Sequence, residues 1–486
     1  MPEDPHHQPP LTNGHKMSVI SSRDIPMCPA SLVTSCRGGQ WMESTSMQTS
    51  VRACSAALAV VCGVLFTGVG TPPASASPPD VLAPAGPWGS FYEPPAELPG
   101  AAGDVIREQP FTPVLSVPSA TGAFPGTARR IMYRSVDDAG RAIAVTGTYF
   151  EPSTPWPGLS RPLVSLASGT IGEGRQCAPS IAMQSLVRYS PPFDLSIAYE
   201  QLAVDYLLGQ GISVVFTDYV GLGTPGPHPY GNRAASARAV IDAARAAQRL
   251  PGTSLSPDGP VGFWGYSQGG HAAAAAAELQ PTYAPELNMK GTYAGAPPVK
   301  LDDTLALAEG STLIGAVGYF LDGAVRTDPE IGPVLDRILN DQGRAMMSNT
   351  ADQCVGETLL NYSFQHTTQW TNTGESLGAA VTGDPIGRRI VEEQAIGNLT
   401  PAAPVLLASN VNDDAVPYNR VHDLAQTWCE RGVPVTLSTI ELPPIIPGTA
   451  VGHGVPEFAN VPAAAAWMID RFNDVGILDQ VNCEQK

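Results

Sequence analysis

Val261-Gly262-Phe263-Trp264-Gly265-Tyr266-Ser267-Gln268-Gly269-Gly270-His271 holds a G-x-S-x-G pattern between an apolar stretch and an alanine-rich one. Pro260–Trp264 reads as a buried strand and His271–Leu279 as a helix. Ser267 therefore falls on a sharp strand-to-helix turn. The pattern alone recurs by chance, and the flanking strand and helix give it meaning. On such a turn the hydroxyl stands above the sheet, and Gly265 and Gly269 leave room where a Cβ would crowd the backbone. The helix start behind it offers unpaired N–H groups and a partial positive charge. Both suit a developing oxyanion, and the Gln268 N–H is the first such donor.

A serine hydroxyl needs a base within hydrogen-bond reach to act as a nucleophile. The histidines that compete for that role are His228, His271, His366, His422 and His453. His271 lies four residues past Ser267 on the same helix and cannot swing above the sheet edge. His228 sits in a Pro/Gly loop ahead of the serine, His366 in a helical insertion, and His422 in a helix-like run after Pro417. His453 stands in Val451-Gly452-His453-Gly454, read as a flexible loop between the last strand and the closing helix. The chain order Ser, acid, His singles out His453. The acid should follow a strand, and Pro404–Ser409 leads into Asn410-Val411-Asn412-Asp413-Asp414-Ala415-Val416-Pro417. Asp413 is favoured over Asp414; the competing reading has Asp414, or both, capping the helix that follows. A second oxyanion donor is expected from the glycine-rich loop Ser168-Gly169-Thr170-Ile171-Gly172-Glu173-Gly174, at Thr170.

Strands and helices alternate around this centre. Ala128–Ser135 and Ala142–Phe150 form an antiparallel hairpin across Asp137-Asp138-Ala139-Gly140. Leu163–Ala167, Ile212–Asp218, Met289–Ala294, Pro404–Ser409 and Val433–Ile440 read as further strands. Ile197–Leu208, Ala234–Leu250 and Ala463–Phe472 read as helices. The rhythm implies an α/β fold with a mostly parallel central sheet covered on both faces. Residues 301–395 break it, with helical patterns and no convincing buried strand; a structureless loop of that length is improbable, so they read as an inserted helical cap. Residues 77–125, rich in proline and aromatics, read as an extended arm.

Residues 1–46 are polar and aperiodic, a leader or an over-called start. From Met47, Arg52 precedes the apolar run Ala53–Val69, and Ala74-Ser75-Ala76 supplies a small-residue cleavage site. Residues 47–76 thus read as a signal peptide, leaving 77–486 as the exported domain. The 76 residues removed hold four basic and four acidic groups, so the mature chain keeps the formal net charge of −18. That excess of acid argues against nucleic acid as a partner, and 43% hydrophobic against 15% charged residues excludes a disordered chain. Cys177, Cys354, Cys429 and Cys483 remain, an even number in an exported protein. Two disulfides are expected, with three pairings open. No further apolar segment of spanning length follows, and no H-E-x-x-H pattern points to a metal.

With Ser267 in Gly265-Tyr266-Ser267-Gln268-Gly269-Gly270, the chain resembles the secretory lipase family of α/β-hydrolases, the lipase A-like type. Supporting motifs are Tyr133-Arg134-Ser135, Gly169-Thr170 followed by Cys177-Ala178-Pro179-Ser180, Thr217-Asp218-Tyr219-Val220-Gly221-Leu222-Gly223, and Asp413-x-x-Val416-Pro417-Tyr418. The resemblance covers most of 85–475. It implies the α/β-hydrolase fold with a helical cap, secretion, and hydrolysis of acylglycerol or other carboxylic esters, with no metal or cofactor. It also implies the pairings Cys177–Cys354 and Cys429–Cys483. One departure stands out: many α/β-hydrolases carry His-Gly where this chain has Ser168-Gly169, which leaves open what supports the oxyanion loop.

The expected function is that of a secreted lipase or esterase, with Ser267, His453 and Asp413 as triad and the Thr170 and Gln268 amides holding the oxyanion. Its substrate would be an acyl ester or lipid, met in solution or at an oil–water interface. The alternatives are an acyltransferase or serine peptidase on the same fold, or a catalytically silent binding protein.

Overall fold

The computed structural model describes residues 89–113, 125–184, 187–190 and 194–475. The leader and signal segment expected over 1–46 and 47–76 lie outside them, as does Cys483. Nine strands form one sheet in the order β1-β2-β3-β7-β4-β8-β9-β10-β11. They are β1 Val105–Phe111, β2 Gly126–Val136, β3 Ala142–Pro152, β4 Leu163–Ala167, β7 Ser213–Thr217, β8 Pro260–Tyr266, β9 Asn288–Gly295, β10 Val405–Asn410 and β11 Val435–Ile440. β5 (Val187–Ser190) and β6 (Asp194–Ile197) make a separate antiparallel pair. From β7 to β11 every neighbouring pair in the sheet is parallel, while β1, β2, β3 and β7 pair antiparallel. Every residue of β4, β7, β8 and β10 is buried, as strands covered on both faces require. This is the α/β-hydrolase arrangement.

The helices flanking the sheet are α1 Pro179–Ala182, α2 Gln201–Gly209, α3 Arg233–Arg249, α4 Gln268–Tyr283, α12 Tyr418–Glu430 and α13 Val451–Phe472. Between β9 and β10 lie α5 Leu301–Ala308, α6 Val317–Thr327, α7 Gly332–Ile338, α8 Asp341–Thr350, α9 Val355–Tyr362, α10 Leu377–Gly383 and α11 Pro385–Glu393. These seven pack on an apolar cluster of their own, with Ile314, Leu335, Met346, Trp370 and Ile390 buried in it. The inserted cap therefore has a core distinct from that of the sheet.

Several elements differ from the sequence reading. The helix expected over Ile197–Leu208 starts only at Gln201, as α2, because Ile197 ends strand β6 and pairs with Val187 of β5, a pair the sequence reading did not include. The arm expected over 77–125 contributes β1, an edge strand paired with β2; its Arg107, Glu108, Gln109 and Pro110 hide the alternation, and polar residues and proline belong on a sheet edge. Helix α4 begins at Gln268, directly after Ser267, and not at His271: Gly269 and Gly270 read as turn residues in sequence, yet the helix runs through them. His453 is not in a flexible loop: α13 begins at Val451, so the histidine sits in its first turn. Glycines at 452 and 454 and prolines at 456 and 462 mask that helix in sequence. Pro456 has no N–H to offer the Gly452 carbonyl one turn back. That carbonyl instead accepts from Asn410 Nδ2 at 2.9 Å, so the end of β10 completes the first turn of α13.

Candidate active site

Ser267 occupies φ 58°, ψ −122°, between the end of β8 and the start of α4. A non-glycine residue at positive φ is strained and persists only where its surroundings hold it. Here the Ser267 N–H donates to the Gly295 carbonyl at 2.9 Å, and the Ser267 carbonyl accepts from the His271 N–H at 2.9 Å. A Cβ on Gly265 would run into the Gly269 carbonyl, and one on Gly269 into the Ala167 carbonyl. The Gln268 N–H is the first of the helix and has no intrahelical acceptor.

Asp413 follows β10 and is buried. Its Oδ1 accepts the N–H groups of Ala415 and Val416 at 2.9 and 2.8 Å, and its Oδ2 lies 2.8 Å from His453 Nδ1. A carboxylate only accepts, so Nδ1 carries the proton and Nε2 keeps its lone pair. Burial of the His453 ring lowers its affinity for a proton. The adjoining Asp413 charge and hydrogen bond, with the Asp414 charge, outweigh this and leave its pKa above the ordinary histidine value. Asp414 does not cap α12, whose N-cap Pro417 has no side-chain bond. Its carboxylate accepts from the N–H groups of Ala450 and His453 at 2.9 and 3.1 Å, pinning the start of α13. The Tyr266 hydroxyl, next to the serine, donates to the His453 carbonyl at 2.7 Å.

The other histidines have structural partners. His228 Nδ1–H donates to the Val220 carbonyl at 2.9 Å, so its Nε2 accepts from Gln268 Nε2 at 3.0 Å. Burial pushes its pKa down to about 4, and the ring stays neutral. His271 is likewise lowered to about 4 by burial, its Nε2 facing the Gln394 carbonyl at 3.0 Å. His366 is exposed and His422 half-buried.

The loop after β4 is held from beneath. The Tyr219 hydroxyl donates to the Ser168 carbonyl at 2.7 Å, and the Tyr199 hydroxyl to the Thr170 carbonyl at 3.2 Å. Ser168 Oγ and the Gly169 N–H both donate to Glu200 Oε1, at 2.8 and 2.6 Å. Sequence reasoning missed Glu200: in Tyr199-Glu200-Gln201 it reads as an acidic residue opening a helix. It also missed Asn410 and the backbone role of Asp414. Asp218, in the Thr217–Gly223 motif, is a buried structural acid that accepts from Ser180 N–H and Thr146 Oγ1. Burial pushes Glu200 up to about 7 against the pull of its hydrogen bonds. A carboxyl whose pKa is raised on folding takes up protons as the chain folds. Its contribution is therefore full below about 4.5 and lost as pH rises through about 7. The stability of Glu200→Gln relative to the parent should accordingly increase between pH 5 and pH 8 in urea titrations; a constant difference would refute this.

Thr170, Ser267 and Gln268 line the floor of one cleft, with about 1070 Å³ of space, the open solvent at its mouth included. Leu305, Leu313, Val317 and Phe320 from the cap form its apolar walls. Cys177, just past the loop after β4, is bonded to Cys354 at the start of α9, tying that loop to the cap. Among the described residues no group of three or more His, Cys, Asp or Glu side chains could hold a metal ion, and no helix is long and apolar enough to cross a membrane.

The secretory lipase family profile matches residues 188–479. Lipase 4 of Candida albicans is 29% identical over 397 residues, covering 79% of this chain and 81% of that protein. A Mycobacterium tuberculosis protein named as a probable inactive lipase is 25% identical, over 72% of this chain and 74% of its own. Among solved structures, Candida antarctica lipase A in its closed state superposes with a TM-score of 0.66 at 21% identity, covering 80% of this chain and 86% of that one. The matched segment runs from β5 past the end of α13 and takes in the elbow, Asp413, His453 and the whole cap, and by it the chain belongs to the secretory lipase family.

Proposed function

We propose that the protein is a secreted serine esterase of the lipase type, cleaving carboxylic esters of acylglycerols or related lipids through an acyl-enzyme. Ser267 Oγ attacks the acyl carbonyl while His453 Nε2 takes its proton. Asp413 fixes the ring tautomer and stabilises the imidazolium that forms. The N–H groups of Thr170 and Gln268 receive the oxyanion. The imidazolium gives its proton to the departing alcohol; water then enters, its oxygen attacks the acyl carbon as His453 takes its proton, and the Ser267 Oγ–acyl bond breaks as the imidazolium returns that proton to Oγ, releasing the acid. Export is part of the proposal, with residues 47–76 as signal peptide and 301–395 as the cap of the mature domain.

The observation that carries this reading is the strained Ser267 on the floor of a cleft walled by Leu305, Leu313, Val317 and Phe320. An apolar wall favours an acyl chain by about 0.8 kcal/mol for each methylene it buries. A fluorophosphonate probe tests it. The intact protein should acquire one adduct, located by peptide mass spectrometry at Ser267, and labelling should cease together with hydrolysis of p-nitrophenyl butyrate. Failure of the folded chain either to label or to hydrolyse the ester would place it with the relative named as inactive and refute the proposal.

A further inference from the structure

Glu200 is a buried carboxyl that grips the loop after β4 from outside it, and the mechanism above does not use it. It stands just ahead of α2 without a side-chain bond to that helix, and reaches across to β4's end, where its Oε1 accepts from Ser168 Oγ and from the Gly169 N–H. Two donors on one oxygen fix the plane of the Ser168–Gly169 peptide. The next amide in the chain is that of Thr170, whose N–H meets no acceptor among the described residues. The other carboxyl oxygen, Oε2, is buried without a hydrogen-bond partner. An orphaned buried acceptor costs free energy, so the carboxyl is held there by something other than its own solvation.

We propose that Glu200 is the positioning residue of the oxyanion loop: by gripping Ser168 and Gly169 through Oε1, it turns the Thr170 N–H toward the carbonyl oxygen of the acyl group. The proposal rests on the ester-hydrolase reading of Ser267. It answers what supports the loop in a chain with Ser168 where many relatives of this fold carry histidine: the serine hydroxyl is the handle, and the acid behind it is the clamp. Ser168, Tyr199, Tyr219 and Glu200 then form one unit, with the Tyr219 hydroxyl holding the Ser168 carbonyl and the Tyr199 hydroxyl the Thr170 carbonyl. The other carboxyl facing Glu200 is Glu457, from α13 one turn beyond His453; burial and the Glu200 charge raise its pKa, and among the described residues no ion pair reaches Glu200. Glu200 thus acts through its acceptor oxygen and not through an ion pair. An amide oxygen can do the same work.

That equivalence supplies the test. Glu200→Gln keeps an acceptor for both donors, while Glu200→Ala removes it. With p-nitrophenyl butyrate, Glu200→Ala should lower kcat by about 10²-fold, the usual effect of losing an oxyanion donor, with KM nearly unchanged because the ground-state carbonyl depends little on it. Glu200→Gln should restore kcat to within about threefold of the parent. The clamp is refuted if Glu200→Ala keeps the parent kcat, if Glu200→Gln is as impaired as Glu200→Ala, or if the loss falls on KM. Ser267→Ala, run alongside, separates the two ideas. If it retains turnover the hydrolase reading fails; if it is inactive while Glu200→Ala is not, only the clamp fails. A thermal melt identifies an Ala variant that does not fold. In that case Ser168→Ala, which removes one of the two donors and leaves the acid in place, should still lower kcat at constant KM; unchanged kcat there would also overturn the proposal.

Discussion

Ser267→Ala is expected to lower kcat on p-nitrophenyl butyrate by about 10⁵-fold or more, leaving the folded state intact. The magnitude follows from what the hydroxyl does: without it no acyl-enzyme forms, and only binding and the oxyanion donors still act, which in serine hydrolases leave about 10³- to 10⁴-fold over water. Retention of the fold follows from the backbone. The positive φ at 267 is held by the Gly295 carbonyl and by the packing of Gly265 and Gly269 against the turn, none of which involves Oγ. Alanine keeps the same Cβ, so the strain is neither added to nor relieved. Active-site titration with a fluorophosphonate should go to zero while the Tm is unchanged. Turnover within tenfold of the parent in a homogeneous sample would assign the chemistry to another residue.

The elbow was legible because three independent signals agree there: a buried apolar run, glycines flanking a serine, and an alanine-rich segment after it. The parallel strands were legible for the same reason, since residues buried on both faces read as short runs such as Ser213–Thr217. What escaped had its signal cancelled locally. Edge strand β1 carries Arg, Glu, Gln and Pro, and α13 carries glycines and prolines where a helix should begin. The helix forms anyway because Asn410 and Asp414 satisfy backbone groups that the sequence around 451–456 leaves open. Those partners are about forty residues distant in the chain, which no local pattern reports. Glu200 was hidden similarly, thirty-odd residues from the loop it grips.

Asp413 and Asp414 stand side by side in sequence and do different work, and substituting each by asparagine should separate them. Asp413→Asn keeps an oxygen for the Ala415 and Val416 N–H groups but turns an NH₂ toward His453 Nδ1. The ring is then driven to carry its proton on Nε2, where it cannot accept from Ser267. A loss of about 10⁴-fold in kcat is the expected size for a wrong tautomer in such a triad. The pH profile should change as well. In the parent, on the proposed mechanism, kcat/KM should fall on the acid side as His453 protonates, at a pH above the ordinary histidine value because Asp413 favours the imidazolium. Removing that carboxylate takes away the largest raising influence and leaves burial, which disfavours the charged ring; the acid limb should therefore move to lower pH. Asp414→Asn leaves the Nδ1 contact untouched. It weakens only the bonds to the Ala450 and His453 N–H groups, so it should cost less than about tenfold in kcat and show itself mainly as a lower Tm. If the two variants exchanged these behaviours, Asp414 would be the orienting acid and Asp413 a turn residue held by Ala415 and Val416.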